Sequence, residues 1–148
     1  MIMSTGMASE VEIDEAVATA REAGCKDLVL LHCISCYPAP MDQANLRQIP
    51  ELAKQFDVLA GLSDHTMGTT ASVAAIVMGA CLIEKHFTLS RTDKGPDSEF
   101  SLEPADLERL CTDTRDAWLA LGRAGFERQK AEEGSKVFRR SLGNPPEK

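Results

Sequence analysis

Short apolar runs alternate with longer amphipathic stretches four times along this chain, and no other feature restricts its fold as strongly. Ile2–Thr5 is an apolar run that stops at Gly6, as a strand does when it ends in a turn. Ser9 with Glu12 forms a capping-box signature ahead of Val11, Ala16, Val17, Ala20 and Ala23 at roughly helical spacing, and Gly24 closes that helix. Leu28–Leu31 reads as a second strand, and a loop from Ile34 to Ala44 carries Pro38 and Pro40. Asn45 is placed to cap a helix holding Leu46, Ile49, Leu52, Ala53 and Phe56. Val58–Leu62 reads as the third strand and runs into Ser63-Asp64-His65-Thr66. Thr69 or Thr70 starts a small-residue helix to Gly79, and Cys81–Ile83 is the fourth strand, running into Glu84-Lys85-His86-Phe87. After a polar loop, Pro104 suits the first position of a helix whose face is marked by Leu107, Leu110, Cys111, Thr114, Trp118 and Leu121.

Strands this short and this apolar are buried on both faces, which requires a parallel sheet with helices outside it. Four β-α units do not close a barrel, whereas eight do. Two architectures remain: a partial TIM (β/α)8 barrel of about four units, or a small doubly wound domain, and periodicity alone does not choose between them. From Gly125 the chain turns charged and is punctuated by Gly and Pro, so the domain is expected over residues 1–124 and a linker or tail over 125–148.

The remaining composition narrows the setting. With 148 residues, 43% of them apolar, the chain has material for one core of ordinary size. Lys+Arg 16 against Asp+Glu 23 leaves a net charge of −7, which argues against a nucleic-acid or membrane-surface binder, since both need a basic face. No apolar run is long enough to span a bilayer, and Met1–Gly6 has neither the charged head nor the apolar stretch of a secretory signal. The odd count of five cysteines then reads as reduced thiols, and the expectation is a soluble, cytoplasmic α/β protein.

Most of the notable polar residues fall at the carboxyl ends of the expected strands: Ser4, Cys33 and Ser35, Ser63 and His65, Glu84 and His86. Both parallel α/β architectures bind ligands at that edge. Side chains alternate along a strand, so Gly61, Ser63 and His65 share one face, as do Leu82, Glu84 and His86. On neighbouring strands about 4.8 Å apart, the two imidazoles can converge on one divalent ion. Neutral imidazole suits Mn, Fe, Co or Zn better than Ca, and two protein ligands leave positions open for Lewis-acid chemistry. The competing reading is that each His only hydrogen-bonds at the sheet edge. Cys33-Ile34-Ser35-Cys36 is formally C-x-x-C, but Pro38 and Pro40 follow where a redox motif needs a helix N-terminus. Asp97, in Gly95-Pro96-Asp97-Ser98, is either a turn residue satisfying its own backbone or a ligand-binding group. Tyr37, the only tyrosine, either packs over the rim or faces the ligand.

Taken in order, Ser4-Thr5-Gly6-Met7-Ala8, Leu31-His32-Cys33 through Tyr37-Pro38, Gly61-Leu62-Ser63-Asp64-His65-Thr66, Glu84-Lys85-His86-Phe87-Thr88 and Gly95-Pro96-Asp97 resemble the sialic acid synthase family over about residues 1–142. Members of that family make nine-carbon 2-keto acids (N-acetylneuraminate, legionaminate, pseudaminate) and carry an N-terminal (β/α)8 barrel followed by a small antifreeze-like domain. The resemblance places this chain on barrel units five to eight, with Phe138-Arg139-Arg140-Ser141-Leu142 at the linker's end, so the first half-barrel and the antifreeze-like domain are expected to be absent.

The family condenses phosphoenolpyruvate with an N-acylamino-sugar aldehyde and releases phosphate. The resemblance implies that His65 and His86 bind a divalent metal, Mn²⁺ or Mg²⁺, which polarises the aldehyde oxygen. It implies that Ser4 and Ser63 hold phosphoenolpyruvate, that Ser35 and Tyr37 lie near the substrates, that Asp97 binds the sugar hydroxyls and that Phe138 lines the sugar pocket. The Gly-Pro-Asp-Ser form around Asp97 looks more like pseudaminic acid synthases. Full-length members are expected to be homodimers. The family's phosphate-holding lysines, its glutamates proposed for proton chemistry and an arginine from the partner's antifreeze-like domain have no counterpart in this chain. The expectation is an enzyme-derived half-barrel that binds metal without turning over. Two rival readings are a non-catalytic half-barrel that assembles with another half, and a different metal-dependent phosphoenolpyruvate-condensing synthase.

Overall fold

The computed structural model describes residues 1–138. Strands β1 (Ile2–Ser4), β2 (Val29–Cys33), β3 (Leu59–Asp64) and β4 (Ile83–Lys85) form one sheet in the order β1-β2-β3-β4. Every pairing is parallel. Helices α1 (Glu10–Glu22), α2 (Gln48–Phe56) and α3 (Thr70–Val77) make the crossovers, and α4 (Pro104–Leu121) follows β4 after a loop. Each crossover advances the sheet by one strand in the same direction. A doubly wound sheet reverses its strand order at a switch point. The unreversed order therefore selects the partial (β/α)8 barrel of the two architectures the periodicity left open.

The register sorts the side chains into two faces. Leu30 with Ala60, and Leu62 with Ile83, point towards the helices. There they meet Val17 of α1, Ile49, Leu52 and Phe56 of α2 and Ala75 of α3 in the main core. Ile49, Leu52 and Phe56 recur at spacings of three and four and are at most 6% exposed, so each contributes roughly 1.5–3 kcal/mol of burial. On the opposite face, Ser4, Leu31 and Gly61 are in register. Gly61 is needed there: a Cβ would strike the Leu82 carbonyl and come within 2.7 Å of Leu31 Cδ2. Ile2 and Leu59, on the same face, are 54% and 61% exposed.

Local signals explain most of the boundaries. Ser9 caps α1 as its spacing to Glu12 predicts: the Ser9 N–H donates to Glu12 Oε2 at 2.7 Å and the Glu12 N–H to Ser9 Oγ at 3.4 Å. Pro104 occupies the first turn of α4, and Asp106 accepts from the Glu103 N–H at 3.2 Å. Asn45 does not cap α2. It adopts a left-handed conformation (φ 45°), its carbonyl accepts from the Gln48 N–H at 3.0 Å, and α2 starts at Gln48 behind Arg47. Asn tolerates that conformation, so the residue serves a turn after the 3₁₀ segment Met41–Gln43. β4 runs two residues beyond the expected Cys81–Ile83, because parallel pairing with β3 carries on through Glu84 and Lys85.

The expected packing face of α4 is largely uncovered. Leu110 alone of its residues is buried, and Trp118 is 65% exposed, because α4 packs chiefly along α3. Lys130–Phe138 forms 3₁₀ turns within the segment expected to be a linker, and Arg139–Lys148 lie outside the described residues. No described helix is long and apolar enough to cross a membrane.

Candidate functional site

Parallel strands aim their carboxyl ends at one edge, and the register fixes what meets there. Cys33 pairs with Ser63 and Ser63 with Glu84. Two residues further on the same face stand His65 and His86, their ring centroids 5.2 Å apart and edge to face. His65 Nδ1 lies 3.0 Å from the Ile34 carbonyl. A carbonyl only accepts, so Nδ1 carries the proton and Nε2 presents its lone pair. His86 Nδ1 faces Asp97 Oδ2 at 3.5 Å, with both side chains partly exposed. Among the described residues neither Nε2 has a hydrogen-bond partner.

Aromatic rings surround the pair. Tyr37 lies 4.2 Å from His65 and 5.8 Å from His86 between centroids. Phe100 lies 5.1 Å from His86 and 5.9 Å from Tyr37. The Tyr37–Pro38 peptide is cis, and the next residue, Ala39, donates its N–H to the His65 carbonyl at 2.8 Å. That bond holds the loop after β2 against the end of β3. Sequence reasoning missed Phe100. Its one signal was its position three residues past Asp97, where a 3₁₀ turn (Ser98–Phe100) returns the chain to the site.

The other expected site residues divide. Ser63 is buried and donates to Glu84 Oε1 at 2.7 Å, immediately below the histidines. Ser35 lies with its Oγ 3.8 Å from Cys33 Sγ, and Cys33 Sγ lies 3.8 Å from His65 Nδ1. A Cβ on Gly6 would strike Ser35 Oγ and come within 3.1 Å of Cys33 Sγ, so a glycine lets the β1 end approach the β2 end. Ser4 is exposed at the end of β1, in register with Leu31, two strands from the histidines. Asp97 joins the cluster through His86 rather than satisfying its own turn, and its carbonyl accepts from Ser101 Oγ at 2.6 Å. Phe138 closes the last 3₁₀ segment at 82% exposure, and none of the aromatic contacts around the histidines involves it.

Behind the histidines lies a buried ion pair that the sequence reading did not single out. Asp64 and Lys85 are each the residue before a histidine, and Lys85 Nζ lies 3.0 Å from Asp64 Oδ2 with both side chains at most 4% exposed. The adjacent carboxylate and ammonium, on neighbouring strands, were the available signal.

The donor set fits two positions of a divalent ion's coordination sphere. Each imidazole has its Nδ1 turned to an oxygen acceptor, the arrangement that orients a metal-binding histidine and leaves Nε2 to the metal. Among the described residues no group of three or more His, Cys, Asp or Glu converges as a metal cluster, so an ion held here would have two protein ligands from this chain and positions left for substrate or water.

Comparison with known proteins bears on this geometry. Residues 1–125 match the model of the NeuB family. An N,N'-diacetyllegionaminic acid synthase from Campylobacter jejuni subsp. jejuni serotype O:2 is 43% identical over 145 residues, covering 96% of this chain and 43% of that protein. A pseudaminic acid synthase from Campylobacter jejuni subsp. jejuni serotype O:23/36 is 38% identical over 141 residues, 95% of this chain and 41% of the relative. The crystal structure of an N-acetylneuraminic acid (sialic acid) synthetase from Leptospira borgpetersenii serovar Hardjo-bovis, in complex with citrate, superposes with a TM-score of 0.82 at 38% identity, over 95% of this chain and 49% of that one. The chain thus spans less than half the length of these relatives.

Proposed function

Since the chain belongs to the NeuB family, we propose that it carries the metal-holding part of a nonulosonic acid synthase, which condenses phosphoenolpyruvate with an N-acylamino-sugar aldehyde and releases phosphate. The observation that carries this reading is the His65–His86 pair, set edge to face at 5.2 Å on the carboxyl edge of a parallel sheet. His65 and His86 would hold Mn²⁺ or Mg²⁺ through Nε2. Bound there, the ion supplies Lewis-acid polarisation of the aldehyde oxygen.

The chain's own residues do the remaining positioning. The Ile34 carbonyl fixes the His65 tautomer and the Asp97 carboxylate turns His86. Asp97, partly exposed, retains one oxygen for a sugar hydroxyl. Tyr37 and Phe100 wall the histidines on two sides. Ser4 offers a hydroxyl to the phosphoenolpyruvate side, Ser63 would do so on releasing Glu84, and Ser35 lines the loop between them. Phe138 would reach the sugar only by closing onto the site from its exposed position. Lys85, the cation at the β4 end, is committed to Asp64, so it is not available to a phosphate. The 148-residue chain alone is therefore inactive in this reading, and a relative-length protein, cytoplasmic and homodimeric, is the active form.

The test is phosphate release from phosphoenolpyruvate with Mn²⁺ and N-acylated hexose aldehydes of the neuraminate, legionaminate and pseudaminate types. The isolated chain should show none, and a relative-length protein bearing this segment should show turnover that His65→Ala or His86→Ala abolishes. Turnover unaffected by those substitutions would sink the reading. A second reading, assembly with another half-barrel, is favoured by the exposed inner-face Ile2 and Leu59 and by β1 and β4 each having one strand neighbour. A monomer that melts cooperatively in sedimentation and thermal scans would count against it.

A further inference from the structure

We propose that Asp64 and Lys85 are positioning residues that set the spacing of the two histidines; this rests on the reading that His65 and His86 hold the cation. The backbone ladder between β3 and β4 runs through Leu62↔Ile83 and Ser63↔Glu84 and has its last pair at Asp64↔Lys85. The histidines lie one residue beyond it, where the paired ladder ends. Beyond that point each strand is tied to a different neighbour. The His65 carbonyl accepts from Ala39 N–H at 2.8 Å, on the β2 side, and the His86 carbonyl accepts from Leu102 N–H at 2.8 Å, on the α4 side. These ties draw the two strand ends towards different neighbours.

The side chains of the last ladder pair supply a second link across the strands. Lys85 Nζ donates across to the Thr66 carbonyl at 2.7 Å while it pairs with Asp64 Oδ2 at 3.0 Å. Asp64 Oδ1 accepts from both the N–H and the Oγ1–H of Thr66, each at 2.8 Å. Ser72 of α3, fully buried, donates to Asp64 Oδ2 at 2.5 Å. His65 is therefore bracketed by Asp64 and Thr66, both held by a cation from β4, whose next residue is His86. A buried ion pair costs more desolvation than an apolar pair of the same size, so it is poor evidence for a purely stabilising role. A fixed cross-strand geometry is what this network provides. Outer groups that orient metal-binding histidines change metal affinity about 10–100-fold when removed.

The test uses the 148-residue chain. The variant Asp64→Asn/Lys85→Met keeps an acceptor for Thr66 and the apolar stem of Lys85 but removes the cross-strand donor and both buried charges. Mn²⁺ binding is measured by loss of the free-ion electron paramagnetic resonance signal, and folding by far-ultraviolet circular dichroism. The expected result is a folded variant that binds Mn²⁺ about 10–100-fold more weakly. A folded variant with unchanged affinity overturns the inference. Ser72→Ala, which trims the network from the helix side without touching either strand, covers the case in which the double variant does not fold. It should weaken Mn²⁺ binding by about tenfold, the lower end of such effects, and unchanged affinity again overturns the inference. His65→Ala separates the two claims: if it leaves Mn²⁺ binding intact, the metal reading fails. A metal-independent readout accompanies it. In the nitrogen-15 spectrum of the metal-free chain, the His65 and His86 ring signals should both shift in the double variant, and two unmoved rings overturn the positioning role.

Discussion

His86 Nδ1 faces Asp97 Oδ2 at 3.5 Å while the neighbouring His65 Nδ1 rests 3.0 Å from a backbone carbonyl, so the two rings of one pair are oriented by chemically different groups. The carbonyl belongs to a loop tied to β3, whereas the carboxylate belongs to an exposed polar loop. The two halves of the site should therefore respond differently to mutation.

His86→Ala should abolish Mn²⁺ uptake, because a single remaining imidazole binds such an ion weakly. Asp97→Asn should lower affinity about tenfold, the lower end for an outer-sphere carboxylate, since its contact with His86 is long and partly exposed. Isothermal titration with Mn²⁺ reads both. Equal losses for the two variants would mean that Asp97 is itself a ligand.

Phe100 touches both Tyr37 and His86 and is 9% exposed. Truncation to alanine should destabilise the chain by about 3 kcal/mol, as for a buried phenylalanine, and should also weaken Mn²⁺ binding by unpacking the ring behind His86. Phe100→Leu should recover most of the stability. Urea unfolding followed by circular dichroism gives the first quantity and metal titration the second. A stable Ala variant with wild-type Mn²⁺ affinity would remove Phe100 from the site.

Gly61→Ala should cost about 1–3 kcal/mol, the range for forcing extra volume into a packed interior, because the added methyl meets the Leu82 backbone and Leu31. Gly125→Ala, with open space around it, is the matched control and should leave the urea midpoint unchanged. Equal midpoints for the two variants would show that the inner face of the sheet relaxes freely.

The strands, the helices between them and the convergence of His65 with His86 were legible in the sequence because each rests on a local rule: apolar runs bounded by turn residues, and alternation by two along a strand. Periodicity did not choose between barrel half and doubly wound sheet, since strand order is a property of the whole sheet; the family resemblance pointed to the barrel half, and the unreversed strand order bears it out. Asn45 misled because the same residue type suits an N-cap and a left-handed turn, and which one forms depends on the 3₁₀ segment before it. Phe100 and the Asp64–Lys85 pair were missed for a common reason. Their partners lie at least fourteen residues away in the chain, Phe100 with His86 and Asp64 with Lys85, and only the register shows that they meet. The face of α4 was read correctly as apolar, yet Trp118 on it remains 65% exposed, because a sequence pattern shows that a face can be buried and not what is there to bury it.

Helix α1 offers a prediction whose pH dependence has a definite sign. The Glu12 carboxyl is held below its ordinary value of 4.5, first by the hydrogen bond from the Ser9 backbone N–H and then by the Ser9 hydroxyl. A group whose value is lowered by folding adds stability above its unfolded value and loses it as the pH falls through the folded one. The box should therefore contribute fully at neutral pH and fade in acid, below the ordinary glutamate range. Ser9→Ala removes the hydroxyl acceptor of the first turn and should cost about 1 kcal/mol at neutral pH, the typical loss of a serine N-cap. Glu12→Gln removes the titrating charge and its favourable interaction with the helix N-terminus. Urea midpoints of the wild type and the Glu12→Gln variant should differ at pH 7 and converge as the pH falls below the ordinary glutamate range. A gap that stays constant across that range would mean that the Glu12 charge plays no part in starting the helix.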